Sequence, residues 1–166
     1  MLAKTSPSDD TLILNALDVG IVILDRQGRI VLWNDWIARY TQTAASAVAG
    51  KTLVDVFPTL AATRLPSAVE DSFETGSSGL LTHSLNKLFP MHNEGGQELL
   101  HNVIVRPISS GPSQQCLLQV NDVTVAVTRE RVLRERQNAR YRAIVDTAPD
   151  AIITICLLYT SDAADE

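Results

Sequence analysis

The sequence has little that would staple or anchor it. Its 166 residues include two cysteines, Cys116 and Cys156, too few for a disulfide framework. A membrane span needs roughly 20 predominantly apolar residues, and the most apolar stretch, Leu12–Leu24, is shorter and interrupted by Asn15 and Asp18. The opening MLAKTSPSDD has neither the basic nor the apolar region of a signal peptide, so a cytosolic location is expected. A basic surplus is missing as well. Residues 1–122 carry 8 basic and 12 acidic groups, which argues against a nucleic-acid partner. Catalytic signatures are also scarce. Gly76–Gly79 has no following Lys and leads into a strand, so it is no phosphate loop. No Ser, His or Asp sits in a nucleophile elbow or metal motif, and the chain taken alone is read as no enzyme.

What is there begins with Gly20–Asn34, GIVILDRQGRIVLWN. Two runs rich in β-branched residues flank Asp25–Gly28. Gly28 can take a positive φ and Asp25 can hydrogen-bond the turn backbone, which together predict a β-hairpin. The expected strands are Gly20–Asp25 and Gly28–Trp33, after a short helix over Thr11–Asp18.

Asn34 or Asp35 is placed to cap a helix running to Tyr40. Further helices are expected over Ala44–Ala49, over Leu53–Phe57 with Pro58 as its stop, and over Pro66–Glu74 with Gly76 past its end. Strand character returns at Leu80–Leu85, Glu98–Ile108 and Gln115–Val120, with a long loop holding Pro90 and Gly95-Gly96 between the first two. Two strands, several short helices and three strands make an α+β domain with an antiparallel sheet.

From Val123 the composition changes. Residues 123–145 hold six arginines against two glutamates and neither Gly nor Pro. Val125, Val132 and Ala139 recur every seven residues, but the intermediate positions are Arg129 and Arg136, so the seam is imperfect. A solvated linker helix and a short parallel coiled coil both fit. Beyond it, Asp146–Ile155 (DTAPDAIITI) echoes Asn15–Leu24 (NALDVGIVIL), as the first strand of a second module would. The last eleven residues, CLLYTSDAADE, fit the translation of a transposon-type sequencing adapter and are set aside from the fold. The expected organisation is therefore a flexible stretch over 1–10, one domain over 11–122, a linker helix over 123–142, the start of a truncated second domain over 143–155, and the adapter-like tail over 156–166.

These segments resemble a PAS domain, the sensory module of signal-transduction proteins. LNALDVGIVILDRQGRIVLWN is similar to the family's opening helix and strand pair, with Asn34 where the family often has an Asn entering its first helix. GKTLVDVFP at Gly50–Pro58 resembles its Gly-Lys-x-Leu segment ending in Phe-Pro. CLLQVNDVT at Cys116–Thr124 resembles the closing strand, and YRAIVDTAPDAIITI the start of another such domain. The resemblance implies a five-stranded antiparallel sheet with short helices on one face, cupping a small-molecule pocket, then a signalling linker helix.

On that resemblance the pocket would draw on Trp33, Asn34, Trp36 and Tyr40, with Phe57, Phe73, His83 and His101. Asp122, Thr124, Val125, Val132 and Ala139 would transmit the signal. The cofactor is unknown. Haem-binding members ligate through a His on the helix that here is Pro66–Glu74, which has none. His83 and His101 fall in expected strands and His92 in a loop, at no compact metal spacing. Cysteinyl-flavin light chemistry needs an Asn-Cys-Arg-Phe-type motif absent here, although Trp33, Trp36 and Tyr40 could stack on a redox flavin.

The expected function is to bind a small ligand or partner and pass a signal to an output domain, a histidine kinase first. A diguanylate cyclase or phosphodiesterase, or a ligand-free dimerisation scaffold, are the alternatives. The expected partners are a second copy, through the domain surface and linker helix, and an unknown small molecule, with no nucleic acid.

Overall fold

In a computed structural model the described residues are 9–110 and 113–147, with residues 1–8, 111–112 and 148–166 outside them. The expected second-domain strand at Ala151–Ile155 and the adapter-like tail lie outside the described residues.

The opening hairpin forms as its residues require. β1 (Gly20–Leu24) and β2 (Ile30–Trp33) pair antiparallel. Asp25 Oδ1 accepts from the N–H groups of Gln27 and Arg29 at 2.9 and 2.8 Å, and Gly28 takes φ 72°. A register shift between Ile23 and Leu24 leaves Val31 of β2 without an opposite residue. The edge of β2 is partly covered by Gly50–Thr52: Ile30 N–H donates to Lys51 O at 2.8 Å and Gly50 N–H to Ile30 O at 2.9 Å.

Helix α1 (Asp9–Asn15) precedes the hairpin. After it come α2 (Asp35–Thr41), α3 (Ala45–Val48), α4 (Leu53–Val56), a 3-10 turn (Pro58–Ala62) and α5 (Leu65–Thr75). Then follow β3 (Gly79–Leu81), β4 (His101–Ser110), β5 (Ser113–Asp122) and α6 (Thr124–Thr147). The five strands form one antiparallel sheet in the order β2-β1-β5-β4-β3. The first and last strands in sequence are therefore central neighbours, with Val22 opposite Leu118.

Alternation with period two puts Val22, Leu24, Val103, Val105, Cys116, Leu118 and Val120 on the buried face. Ile37, Val48, Leu60 and Leu65 from the helical segments complete the core. Each such side chain contributes about 1.5–3 kcal/mol on burial.

The helix expected to stop at Pro58 does end before it, at Val56, and the proline opens the separate 3-10 turn, where its missing N–H costs nothing. Two expectations are corrected. Leu80–Leu85 is a strand only to Leu81. Thr82 O accepts from the N–H groups of Leu85 and Asn86 at 3.2 and 3.1 Å, so the chain turns and His83 lies in that turn. Glu98–Ile108 joins the sheet only from His101. Residues before it fold back on themselves, with His92 bridged to Glu98 and Leu99 N–H donating to Met91 O at 2.9 Å. This 82–100 segment is more than a surface loop, since Leu88, Phe89, Met91 and Leu99 are buried.

α6 is one continuous helix that runs through the expected linker helix and into the start of the expected second domain. Glu130 pairs with Arg134 and Arg131 with Glu135 along it, at 2.8 and 3.9 Å. From Val125 onward it is a unit separate from the sheet domain.

Candidate functional site

Asn34 is the most connected side chain near the hairpin. It is buried, and its Oδ1 accepts from the N–H groups of Ile21 (2.9 Å) and Ile37 (3.4 Å). Its Nδ2 donates to Leu14 O and Val19 O, both at 2.9 Å. One amide thus joins the end of α1, the start of β1 and the N-terminus of α2. All four of its hydrogen-bonding positions are used within the protein.

The aromatic residues divide into groups. Trp33 stacks with Phe57, ring centroids 6.1 Å apart, and meets Phe89 edge-on at 6.2 Å. Phe89 in turn lies 5.7 Å from Phe57 and 6.1 Å from His101. Trp33 Nε1–H donates to Thr43 O at 3.0 Å, so its polar edge is satisfied too. Trp36 and Tyr40 pair with each other at 4.7 Å. Trp36 packs against Gly20, where a Cβ would stand 2.8 Å from the indole. Phe73 is part-buried near the end of α5, and its carbonyl accepts from Gln114 Nε2 at 2.9 Å. His83 sits in its turn with Nδ1 3.3 Å from Asn102 Oδ1. Trp33, Phe57 and His101 are therefore brought together, through Phe89, while Trp36, Tyr40 and Phe73 lie apart from that cluster.

A cavity of about 180 Å³ opens beside the hairpin turn. Leu24, Leu53, Leu60, Leu65 and Val69 line it, with Gly28 and Thr52 at its edge. The spacing of the five aliphatic residues in the sequence marks them only as core, and that of Gly28 only as a turn. A second, more polar cavity of about 380 Å³ lies along the 82–100 segment, with His83, Lys87, Glu98 and His101 in its wall.

Two buried titratable groups are shifted toward their neutral forms. Burial pushes the Cys116 thiol up, with the Ser72 hydroxyl and the Arg106 backbone pulling weakly the other way. Burial lowers the His101 imidazole, opposed by a backbone bond at Leu99 and by the charges of Asp122 and Glu98. A neutral thiol and a neutral imidazole are poor nucleophile and acid. Among the described residues no group of three or more His, Cys, Asp or Glu could hold a metal ion. None of the described helices is long and apolar enough to cross a membrane.

The last strand ends in a defined joint. Asp122 Oδ1 accepts from Thr124 N–H at 2.8 Å. Leu100 N–H donates to Thr124 Oγ1 at 2.9 Å, and Val123 N–H donates to Leu100 O at 2.8 Å. The residues just before β4 are thereby bonded to the first turn of the exit helix. Val125, Val132 and Ala139 follow on the exposed surface of α6.

The strand order, the helical segment and the exit helix allow a direct comparison with known families. Residues 9–79 match the family model described as the PAS fold. The sheet domain has the PAS fold. The PAS fold is shared with a sensory box sensor histidine kinase from Vibrio cholerae, at 23% identity and a TM-score of 0.54, over 69% of this chain and 88% of that one. A domain of an HTR-like protein from Haloarcula marismortui aligns at 20% identity and a TM-score of 0.50, over 65% of this chain and all (100%) of its own. An RNA-binding light-oxygen-voltage receptor aligns at 17% identity and a TM-score of 0.53, over 86% of this chain and 42% of that chain. No curated protein matches the sequence significantly.

Proposed function

We propose that this PAS domain is a sensory module that takes a small apolar ligand into the cavity beside the hairpin and passes the change to α6. The observation that carries this reading is the cavity of about 180 Å³, walled almost wholly by aliphatic side chains. An apolar cavity of about 150 Å³ can hold benzene, so the fitting ligand is compact and uncharged, smaller than a typical cofactor.

A ligand that binds one arrangement of the domain better than another shifts the balance between them. The joint of Asp122, Leu100 and Thr124 gives that shift a route into the first turn of α6. The output in this reading is a histidine kinase, the class of the Vibrio cholerae neighbour. The protein acts as a homodimer, with Val125, Val132 and Ala139 seven residues apart on exposed helix surface as one seam.

Native mass spectrometry of the purified chain, followed by release of what it retains, tests the ligand. A compact apolar molecule bound by the wild type and lost on Leu60→Trp, which fills the cavity, is expected. A chain that retains nothing and takes up no small apolar probe would favour the scaffold reading instead.

A further inference from the structure

Both ring nitrogens of His101 are committed to backbone partners while only 5% of the residue is exposed. Phe89 N–H donates to Nε2 at 3.2 Å. A backbone N–H can only donate, so Nε2 carries the lone pair and the ring proton sits on Nδ1. Nδ1–H then donates to Leu99 O at 3.1 Å. The ring is thus held as one neutral tautomer, between the middle of the 82–100 segment and its end. Phe89, bonded at its backbone, places its own ring against Trp33, Phe57 and the imidazole.

We propose that His101 is a proton-sensing site, at which protonation of Nε2 releases Phe89 and the 82–100 segment and loosens the root of α6 through Leu100. The chemistry is one proton added from solvent to the Nε2 lone pair. The imidazolium then turns an N–H toward the Phe89 N–H, and two donors face each other where one bond stood. Leu99 O keeps its partner, so the disturbance is directed at the Phe89 side. Leu100, between Leu99 and His101, holds Thr124 Oγ1 and Val123 N–H. A shift of the segment therefore reaches the first turn of the helix without crossing the sheet.

The groups facing the ring are consistent with a site that stays neutral until acidified. Asp122 from β5 and Glu98 from the preceding segment favour the charged ring, and His83 from the β3–β4 turn opposes it. Burial outweighs the two carboxylates. Lys87 shares the polar cavity, whose volume of about 380 Å³ gives water and protons access to the ring's surroundings.

This inference rests on the joint at Thr124 as the output root but uses none of the residues lining the apolar cavity. The test is amide exchange by NMR on the full chain between pH 7.5 and 4.5, with each rate corrected for its intrinsic pH dependence. Protection at the Phe89 and Leu100 amides is expected to fall at least tenfold on acidification while Val22 and Leu118 in the central strands keep theirs. In His101→Gln the side-chain amide can accept from Phe89 and donate to Leu99 at every pH, so protection there stays level. Flat protection in the wild type, an equal loss in His101→Gln, or a simultaneous loss in the central strands would each overturn the proposal. Should His101→Gln not fold, the wild-type His101 ring and Phe89 amide shifts must share one midpoint below about pH 6.5, the ordinary imidazole value; separate midpoints overturn it. Retention of an apolar ligand is a separate measurement, so either proposal can fail alone.

Discussion

Asn34 and His101 are both buried polar side chains that tie irregular backbone to the sheet, and the difference between them is titration. Asn34 fills four positions with two donors and two acceptors, none of which changes with pH. His101 fills two, and one of them exists only while Nε2 is unprotonated. The first joins α1, β1 and α2, the frame of the domain. The second joins the 82–100 segment to β4 beside the exit helix. A permanent joint sits where the fold is built, and a conditional one where a signal would leave.

The largest expected effect comes from breaking the permanent joint. Asn34→Ala removes the side-chain partner of the part-buried carbonyls of Leu14 and Val19 and of the buried N–H of Ile21. Each stranded group costs about 1–3 kcal/mol, so a total loss of about 3–5 kcal/mol is expected in urea unfolding. Asn34→Asp sharpens the comparison. A carboxylate keeps the two acceptor roles but loses both donors, and the variant should gain a pH dependence of stability that wild-type Asn34 does not have.

Next is Gly20→Ala, beside the same joint. The new Cβ would stand 2.8 Å from Trp36 and 3.0 Å from Val120 Cβ, and the indole is wedged against Tyr40. Overpacking of this kind costs about 1–3 kcal/mol. A loss near that of Asn34→Ala would mean that shape, rather than the amide network, dominates this region.

How legible these two joints were differs for a physical reason. The order of strands and helices along the chain and the role of Asn34 in starting a helix follow from local signals: β-branched alternation, turn residues and a capping side chain. The amide's further partners at Leu14, Val19 and Ile21 are backbone groups, which leave no mark on residue identity. Phe89 was lost in a segment expected to be a loop, because period-two and period-3.6 patterns say nothing about irregular backbone. The apolar run Leu88-Phe89-Pro90-Met91 was the available signal that this segment turns inward. Likewise Leu24, Leu53, Leu60, Leu65 and Val69 read as core, and only the coordinates show the space left between them.

The conditional joint predicts a smaller, pH-dependent effect. Burial holds the folded His101 imidazole below its ordinary value, so the folded chain binds fewer protons here than the unfolded one. The stability this group contributes is complete above about pH 6.5, the unfolded value, and is lost as pH falls through the folded value. Urea midpoints should therefore decline on mild acidification in the wild type, and the decline should be shallower in His101→Gln. Equal slopes would make His101 as inert as Asn34 and erase the contrast.

The smallest effect probes the far end of the helix that Asn34 begins. Gln42 closes α2 with φ 54°, the left-handed region, where its N–H reaches Ala38 O and Arg39 O. A Cβ in that region crowds the following carbonyl at roughly 1–2 kcal/mol. Gln42→Gly removes this crowding but gives the unfolded chain more freedom to lose, at about 0.4–1 kcal/mol. A net gain of about 0.5 kcal/mol is expected in urea unfolding. The gain should be the same at pH 7.5 and pH 5, because nothing at this cap titrates. If it instead shrinks on acidification, the two joints are coupled through α2: His92 N–H donates to Tyr40 O at 3.0 Å, linking the 82–100 segment to that helix. The separation of a permanent frame from a conditional exit would then give way to a single network.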